Sequence, residues 1–205
     1  LVRRLRCDDR GCRAPRVCVV AWLPGLAPAL GSADVHDGSG DRWMTPSIYL
    51  DPIVDTLGDR WIDPCADPAS PISARASAVL DIRNGDDGLA GAWPDGPAFV
   101  NPPYSDASAW IDRCAAESAK GRPVLALVPI RPEGNAWHRS IWSSAQVVIP
   151  RGRIKFTGSD GETHGSAMIG TAFVCWTCDG HTLHASLERK GIASVVVGKL
   201  DSLPW

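Results

Sequence analysis

The residues with the most capacity for chemistry stand where short apolar runs stop. Asn101-Pro102-Pro103-Tyr104 follows the run Ala98 to Val100. Prolines cannot extend a sheet, and the residue before a proline is pushed out of helix, so these four must form a stiff loop at a strand end. Such a loop presents two acceptors, the Asn101 amide oxygen and the Pro102 carbonyl, with little conformational freedom beside a flat Tyr104 ring. Asp63-Pro64 ends the run "RWID" and sets a carboxylate at a second strand end, where it suits an ammonium group. Arg131 follows the apolar "PVLALVPI", so its charge faces the same edge and fits a phosphate or a carboxylate. Asp63-Pro64, Asp67-Pro68 and Asp86-Asp87-Gly88 also read, from spacing alone, as turn initiators. Cys175-Trp176-Thr177-Cys178, with His181 and His184 behind it, has some metal-ligand spacing. A strand through Cys175 and Trp176 would point them to opposite faces, and the second pair is not at a finger separation, so no metal site is expected.

Positioning these groups falls to alternating strands and helices. "TPSIYLDPIVDTLG" puts Thr45 at an N-cap, Pro46 at the first helical position and Gly58 as the stop, with Pro52 expected to kink or shorten the helix. "RWID", a stretch at Ala78 to Ile82, "AFV" and the wholly apolar "PVLALVPI" read as strands. A helix is expected from Ser105 to Lys120, burying Trp110, Ile111, Cys114 and Ala115 and capped by Gly121. A second is expected over Glu133 to Ser143, then strands at "QVVI", "RIKF" and "AMIGTAFVCW", a short helix at "HASLERKG" and a last strand in "ASVVVG". This alternation predicts an α/β sheet with helices on both faces, in which ligands bind beyond the carboxyl ends of the strands.

At 205 residues and 44% hydrophobic content the chain can bury one core, and a formal charge of -2 argues against coating nucleic acid by bulk charge. A local basic patch, Arg151-Gly152-Arg153-Ile154-Lys155, remains compatible with DNA contact, and it reads equally as a solvated loop. Seven scattered cysteines suit reduced thiols in the cytoplasm. The first forty residues are basic, then apolar and proline-broken, then linker-like; they read as a poorly ordered extension (1–40) ahead of one domain (41–205). Asp8-Asp9 and two prolines interrupt what would otherwise outline a signal peptide, and no run is long and unbroken enough to span a membrane.

Taken in order, W-x-T-P (Trp43 to Pro46), D-P-C-A (Asp63 to Ala66), D-D-G-L (Asp86 to Leu89) with Trp93 nearby, N-P-P-Y (Asn101 to Tyr104), L-V-P-x-R (Leu127 to Arg131) and G-R-I-x-F (Gly152 to Phe156) resemble the phage-type DNA N6-adenine methyltransferases. The resemblance covers about residues 41 to 176. It implies a single Rossmann-like methyltransferase domain with a mixed, mostly parallel sheet, S-adenosylmethionine as cofactor, DNA as partner and a phage or prophage source. It further implies Asn101, Pro102, Pro103 and Tyr104 as the catalytic loop. Thr45 and Pro46 would lie near the amino-acid end of the cofactor, Asp63-Pro64 at its amino group, and Asp87-Gly88-Leu89 beside its adenine. Arg131, Arg151, Arg153 and Lys155 are the candidate DNA contacts. Unlike many methyltransferases, "DPCADPASP" carries no glycine-rich turn after its strand. Two alternatives stay open: the same loop acting on another planar amine, cytosine N4 or a protein glutamine, and a DNA-binding relative without catalysis.

Overall fold

The chain divides into two units, Leu1–Val35 and His36–Trp205. The computed structural model describes residues 43–157 and 169–199, all in the second unit, so the expected extension over 1–40 lies outside the described residues.

Seven strands form one sheet in the order β2-β1-β3-β4-β6-β5-β7. They are β1 (Ile62–Asp63), β2 (Ala78–Val79), β3 (Ala98–Val100), β4 (Val124–Pro129), β5 (Gln146–Pro150), β6 (Thr171–Trp176) and β7 (Ser194–Val197). β1 pairs in parallel with β2 and β3, and β3 with β4. β6 inserts antiparallel between β4 and β5, and β7 runs antiparallel to β5 at the edge. Five strands therefore run one way and β6 and β7 the other, which is the mixed, mostly parallel α/β sheet expected. The chain leaves β1 for β2 on one side and returns to β3 on the other, so a crevice opens at the carboxyl ends around β1 and β3.

Helices cover both faces. Alternation along the strands sends Val100, Ala126, Val128 and Val174 to one face, under α2 (Ala107–Ser118) and α3 (Asn135–Ser140). Phe99, Leu125, Leu127 and Phe173 go to the other, under α1 (Leu50–Leu57) and α4 (Gly180–Arg189). β4 is buried at every position, as a strand covered on both sides must be.

Local departures from expectation have local causes. Thr45 does not cap a helix; Pro46 precedes a 3-10 turn (Ser47–Tyr49) that runs into α1. Pro52 falls in the first turn of α1, where its missing N–H has no intrahelical acceptor to lose, so it neither kinks nor breaks the helix. Gly58 does stop it, at φ 86°. "RIKF" is not a strand: Ile154 and Phe156 are buried by packing, yet among the described residues the bridge in this stretch joins Met44 to Thr157. α4 begins earlier than expected because the Asp179 carboxylate accepts from the His181 and Thr182 N–H groups, both at 3.1 Å. On α2 the buried stripe includes Glu117, which apolar periodicity overlooks.

Candidate active site

β3 ends at Val100, and the chain turns over the sheet edge through the two prolines into a 3-10 turn (Tyr104–Asp106) that starts α2. Asn101 continues the alternation of Phe99 and so lies on the α1 side. Its Nδ2 donates to the Trp43 carbonyl. Its Oδ1 is buried and accepts no hydrogen bond among the described residues. An acceptor left open in this way costs stability unless something else donates to it. Pro102 is buried, and the Pro103 carbonyl accepts from Asp106 N–H at 3.1 Å. Among the described residues no backbone N–H donates to the Pro102 carbonyl. Tyr104 is half-buried and meets Phe156 edge-on, centroids 6.1 Å apart at 85°, and Phe156 in turn meets Trp43 at 6.0 Å. A rigid aromatic corner thus backs the loop.

Across β1 the arrangement is different. Asp63 is 4% exposed; its Oδ1 accepts from Cys65 N–H at 3.0 Å and its Oδ2 from the Ser73 hydroxyl at 2.6 Å. Burial pushes its carboxyl up to about 6, against these two bonds, which favour the charged form. The carboxylate therefore ties down the Pro64–Ser73 loop that lacks glycines, and it retains lone pairs for a further donor. The Asp87 carboxylate accepts from the Leu89 and Ala90 N–H groups at 2.8 and 3.1 Å, making the D-D-G-L segment a tight turn. Gly88 is pressed against the Pro64 loop: a Cβ there would overlap the Pro64 carbonyl oxygen and come within 2.7 Å of Trp110 Cη2. Trp93 Nε1–H donates to the Gly88 carbonyl at 2.6 Å.

Behind that turn stands an ionic scaffold. Glu117 is 3% exposed and pairs with Arg113 at 3.1 Å, Lys120 at 2.7 Å and Arg122 at 3.3 Å. Burial alone would raise its carboxyl, but the Lys120 hydrogen bond and the charges of Arg113, Lys120 and Arg122 outweigh it and hold it below its ordinary range. Arg113 donates to the Gly91 carbonyl and Arg122 to the Pro94 carbonyl, and their guanidinium carbons lie 5.4 and 5.8 Å from the Trp93 ring centroid.

Pro64, Cys65, Leu80, Gly88, Leu89 and Trp110 are among the walls of a cleft of about 150 Å³ between β1, β2 and the start of α2. Its mostly apolar walls and its place at the strand-order reversal suit the apolar faces of a flat ring. Asp63, Pro64, Asp87, Gly88 and Leu89 thus gather in or beside one cleft. Thr45 is 1% exposed with its hydroxyl lacking a partner among the described residues, in the segment that Met44 pairs with Thr157. Arg131 is exposed just beyond β4. Arg151, Arg153 and Lys155 are exposed just after β5, with Arg153 and Lys155 alternating with buried Ile154 and Phe156.

Sequence reasoning missed the parts played by Trp43, Ser73 and Phe156. Trp43 acts through a backbone carbonyl, for which no side-chain signal exists; Ser73 and Phe156 act as partners, which only proximity discloses. Cys178 Sγ donates to the Val124 carbonyl and His184 Nδ1 meets Ser194 Oγ at 2.7 Å. Among the described residues no group of three His, Cys, Asp or Glu side chains is placed to hold a metal ion.

The family model described as DNA N-6-adenine-methyltransferase (Dam) matches residues 32–179. No curated protein matches the sequence. Among solved structures, a dimethyladenosine transferase from Plasmodium falciparum aligns at 9% identity with a TM-score of 0.41, over 69% of this chain and 64% of that one. The chain thus spans just under two thirds of that structure's length.

Proposed function

This chain belongs to the DNA N-6-adenine-methyltransferase family, and from that premise we propose that it transfers a methyl group from S-adenosylmethionine to N6 of an adenine flipped out of DNA. The observation that carries the reading is the Asn101 side chain, whose amide nitrogen is held by the Trp43 carbonyl while its buried oxygen accepts no hydrogen bond among the described residues.

The exocyclic amine of adenine is a poor nucleophile because its lone pair is delocalised into the ring. Asn101 Oδ1 and the Pro102 carbonyl each accept a hydrogen bond from one of its N–H groups, which orients the nitrogen and favours the tetrahedral geometry in which the lone pair is available. Trp43 fixes which way the amide faces: with Nδ2 bonded, the oxygen must point to the amine. The prolines hold the second acceptor still. Tyr104, braced by Phe156, stacks on the base, a contact worth about 1–3 kcal/mol and tolerant of base identity. A target in duplex DNA must leave the stack to reach this loop. S-adenosylmethionine supplies an electrophilic methyl group on a sulfonium. Gly88, Leu89 and Asp87 would hold its adenine, Asp63 its amino group, and Thr45-Pro46 its amino-acid end. Arg131, Arg151, Arg153 and Lys155 hold DNA phosphates, positioning the strand without reading it. Reaction in the cytoplasm follows from the substrate.

Incubating unmethylated DNA with S-adenosylmethionine and the protein, then analysing the nucleosides by mass spectrometry, tests this. N6-methyladenine formed by the unmodified protein and not by Asn101→Ala is the expected result. N4-methylcytosine, or no methylated base from a folded protein that binds the cofactor, would overturn it.

A further inference from the structure

The sheet edge holds another open oxygen besides those of Asn101 and Thr45. Thr171, the first residue of β6, is 4% exposed, and its hydroxyl has no hydrogen-bond partner among the described residues. Leaving a buried hydroxyl unsatisfied costs stability, and an apolar side chain of the same shape would avoid that cost. Such a residue in a well-packed strand needs a reason.

Its position supplies one. Thr171 pairs with Pro129 at the carboxyl end of β4, so the antiparallel β6 enters the sheet at the edge where β3 delivers Asn101. Alternation puts Thr171 on the same face as Phe173 and Cys175, and Asn101 on the same face as Phe99; both are the α1 face. Only β4 lies between their strands, two strand spacings or about 10 Å across the sheet, and the register sets Thr171, opposite Pro129, two residues or about 7 Å farther along β4 than Asn101, which follows the Val100–Ala126 pair. The cofactor cleft lies on the opposite side of Asn101, against β1, β2 and α2. A methyl donor in that cleft and the base it methylates must approach Asn101 from different sides. The side left for the base is that of β4 and β6.

We propose that the Thr171 hydroxyl is a substrate-positioning group that donates a hydrogen bond to a ring nitrogen of the target adenine while Asn101 holds the N6 amine. The inference rests on the adenine methyltransferase reading above. Two contacts on separate strands fix the in-plane rotation of the ring, which stacking on Tyr104 leaves free. Adenine presents bare ring nitrogens as acceptors, and a hydroxyl that rotates to suit one of them meets the need.

The test compares Thr171→Val and Thr171→Ser with the unmodified protein on unmethylated genomic DNA. Three readouts are taken: kcat and KM for methylation, the dissociation constant for S-adenosylmethionine by calorimetry, and the melting temperature. Thr171→Val is expected to lower kcat/KM for DNA at least about tenfold, with cofactor affinity unchanged and melting temperature equal or higher; Thr171→Ser restores most of the loss. Full activity in a stabilised Thr171→Val overturns the proposal, because the hydroxyl is then only a cost to the fold. Weakened cofactor binding with an unchanged KM for DNA overturns it too, by assigning the hydroxyl to the cofactor. Absence of N6-methyladenine with the unmodified protein is a separate outcome, which removes the function and this inference together.

Discussion

The two halves of the sheet edge treat their side-chain oxygens in opposite ways. Around β1 and β2 the carboxylates are bonded internally: both oxygens of Asp63 accept hydrogen bonds, and Asp87 closes its own turn beside Gly88, whose carbonyl Trp93 holds. Around β3 and β6, Asn101 Oδ1 and the Thr171 hydroxyl are buried with no partner among the described residues. On the function proposed above, the first half would be a preformed container whose shape does the binding, and the second would keep acceptors and donors open for a molecule that arrives only during turnover, at a cost in stability. Binding sites of the two kinds should therefore respond differently to substitution.

Asn101→Ala should give the largest effect, a loss of methyl transfer on the order of 10³-fold or more, comparable with removing a key transition-state contact in other enzymes. Melting temperature and S-adenosylmethionine affinity should stay near those of the unmodified protein. A large drop in melting temperature would mean the open half is structural after all.

Gly88→Ala should act in the reverse sense. Its new Cβ meets backbone rather than a flexible side chain, so the turn must move. A stability loss of about 2–3 kcal/mol in urea titrations and weak cofactor binding are expected. Trp93→Phe keeps the ring and removes the bond to the Gly88 carbonyl. It should cost about 1–2 kcal/mol and raise KM for the cofactor more than it lowers kcat. An equal fall in both halves of the reaction would blur the contrast.

Smaller still is the effect of replacing Arg151 and Lys155 together by Ala. DNA affinity should fall uniformly across sequences and the salt dependence of binding should shallow by about two phosphate contacts, with cofactor affinity untouched.

The finest test is pH. Asp63 is raised in the folded state, so the native protein binds that proton more tightly than the unfolded chain, and its contribution is full below the unfolded value and lost as pH rises through about 6. Glu117 is lowered, so its contribution is present above the unfolded value and lost as pH falls through the folded one. Asp63→Asn should flatten the decline between about pH 4 and pH 6, followed by urea unfolding, while leaving the acid limb set by Glu117. An unchanged profile would show that Asp63 is not the group titrating there.

Much of this molecule was written locally. β4 announces itself as an unbroken apolar run, the Asn101 loop by its prolines and Gly58 by its place after an apolar helix, because each depends on backbone restrictions or burial of neighbours in sequence. The order of motifs then pointed to the family. Where local and tertiary rules diverge, reading failed: "RIKF" alternates like a strand, yet packing buries Ile154 and Phe156 without a ladder. Glu117 belongs to no apolar stripe, and only the fold gathers Arg113, Lys120 and Arg122 on it.

The sequence by itself determined which side chains would stand at strand ends, since a residue's intrinsic φ/ψ limits and hydrophobic period travel with it. Only the tertiary structure decided their partners. Trp43 turns the Asn101 amide from 58 residues away, and Pro64 demands a glycine at position 88. β6, entering antiparallel between β4 and β5, brings Thr171 to the edge that Asn101 occupies. Those are distances between segments remote in the chain, and no residue type encodes them before the core closes.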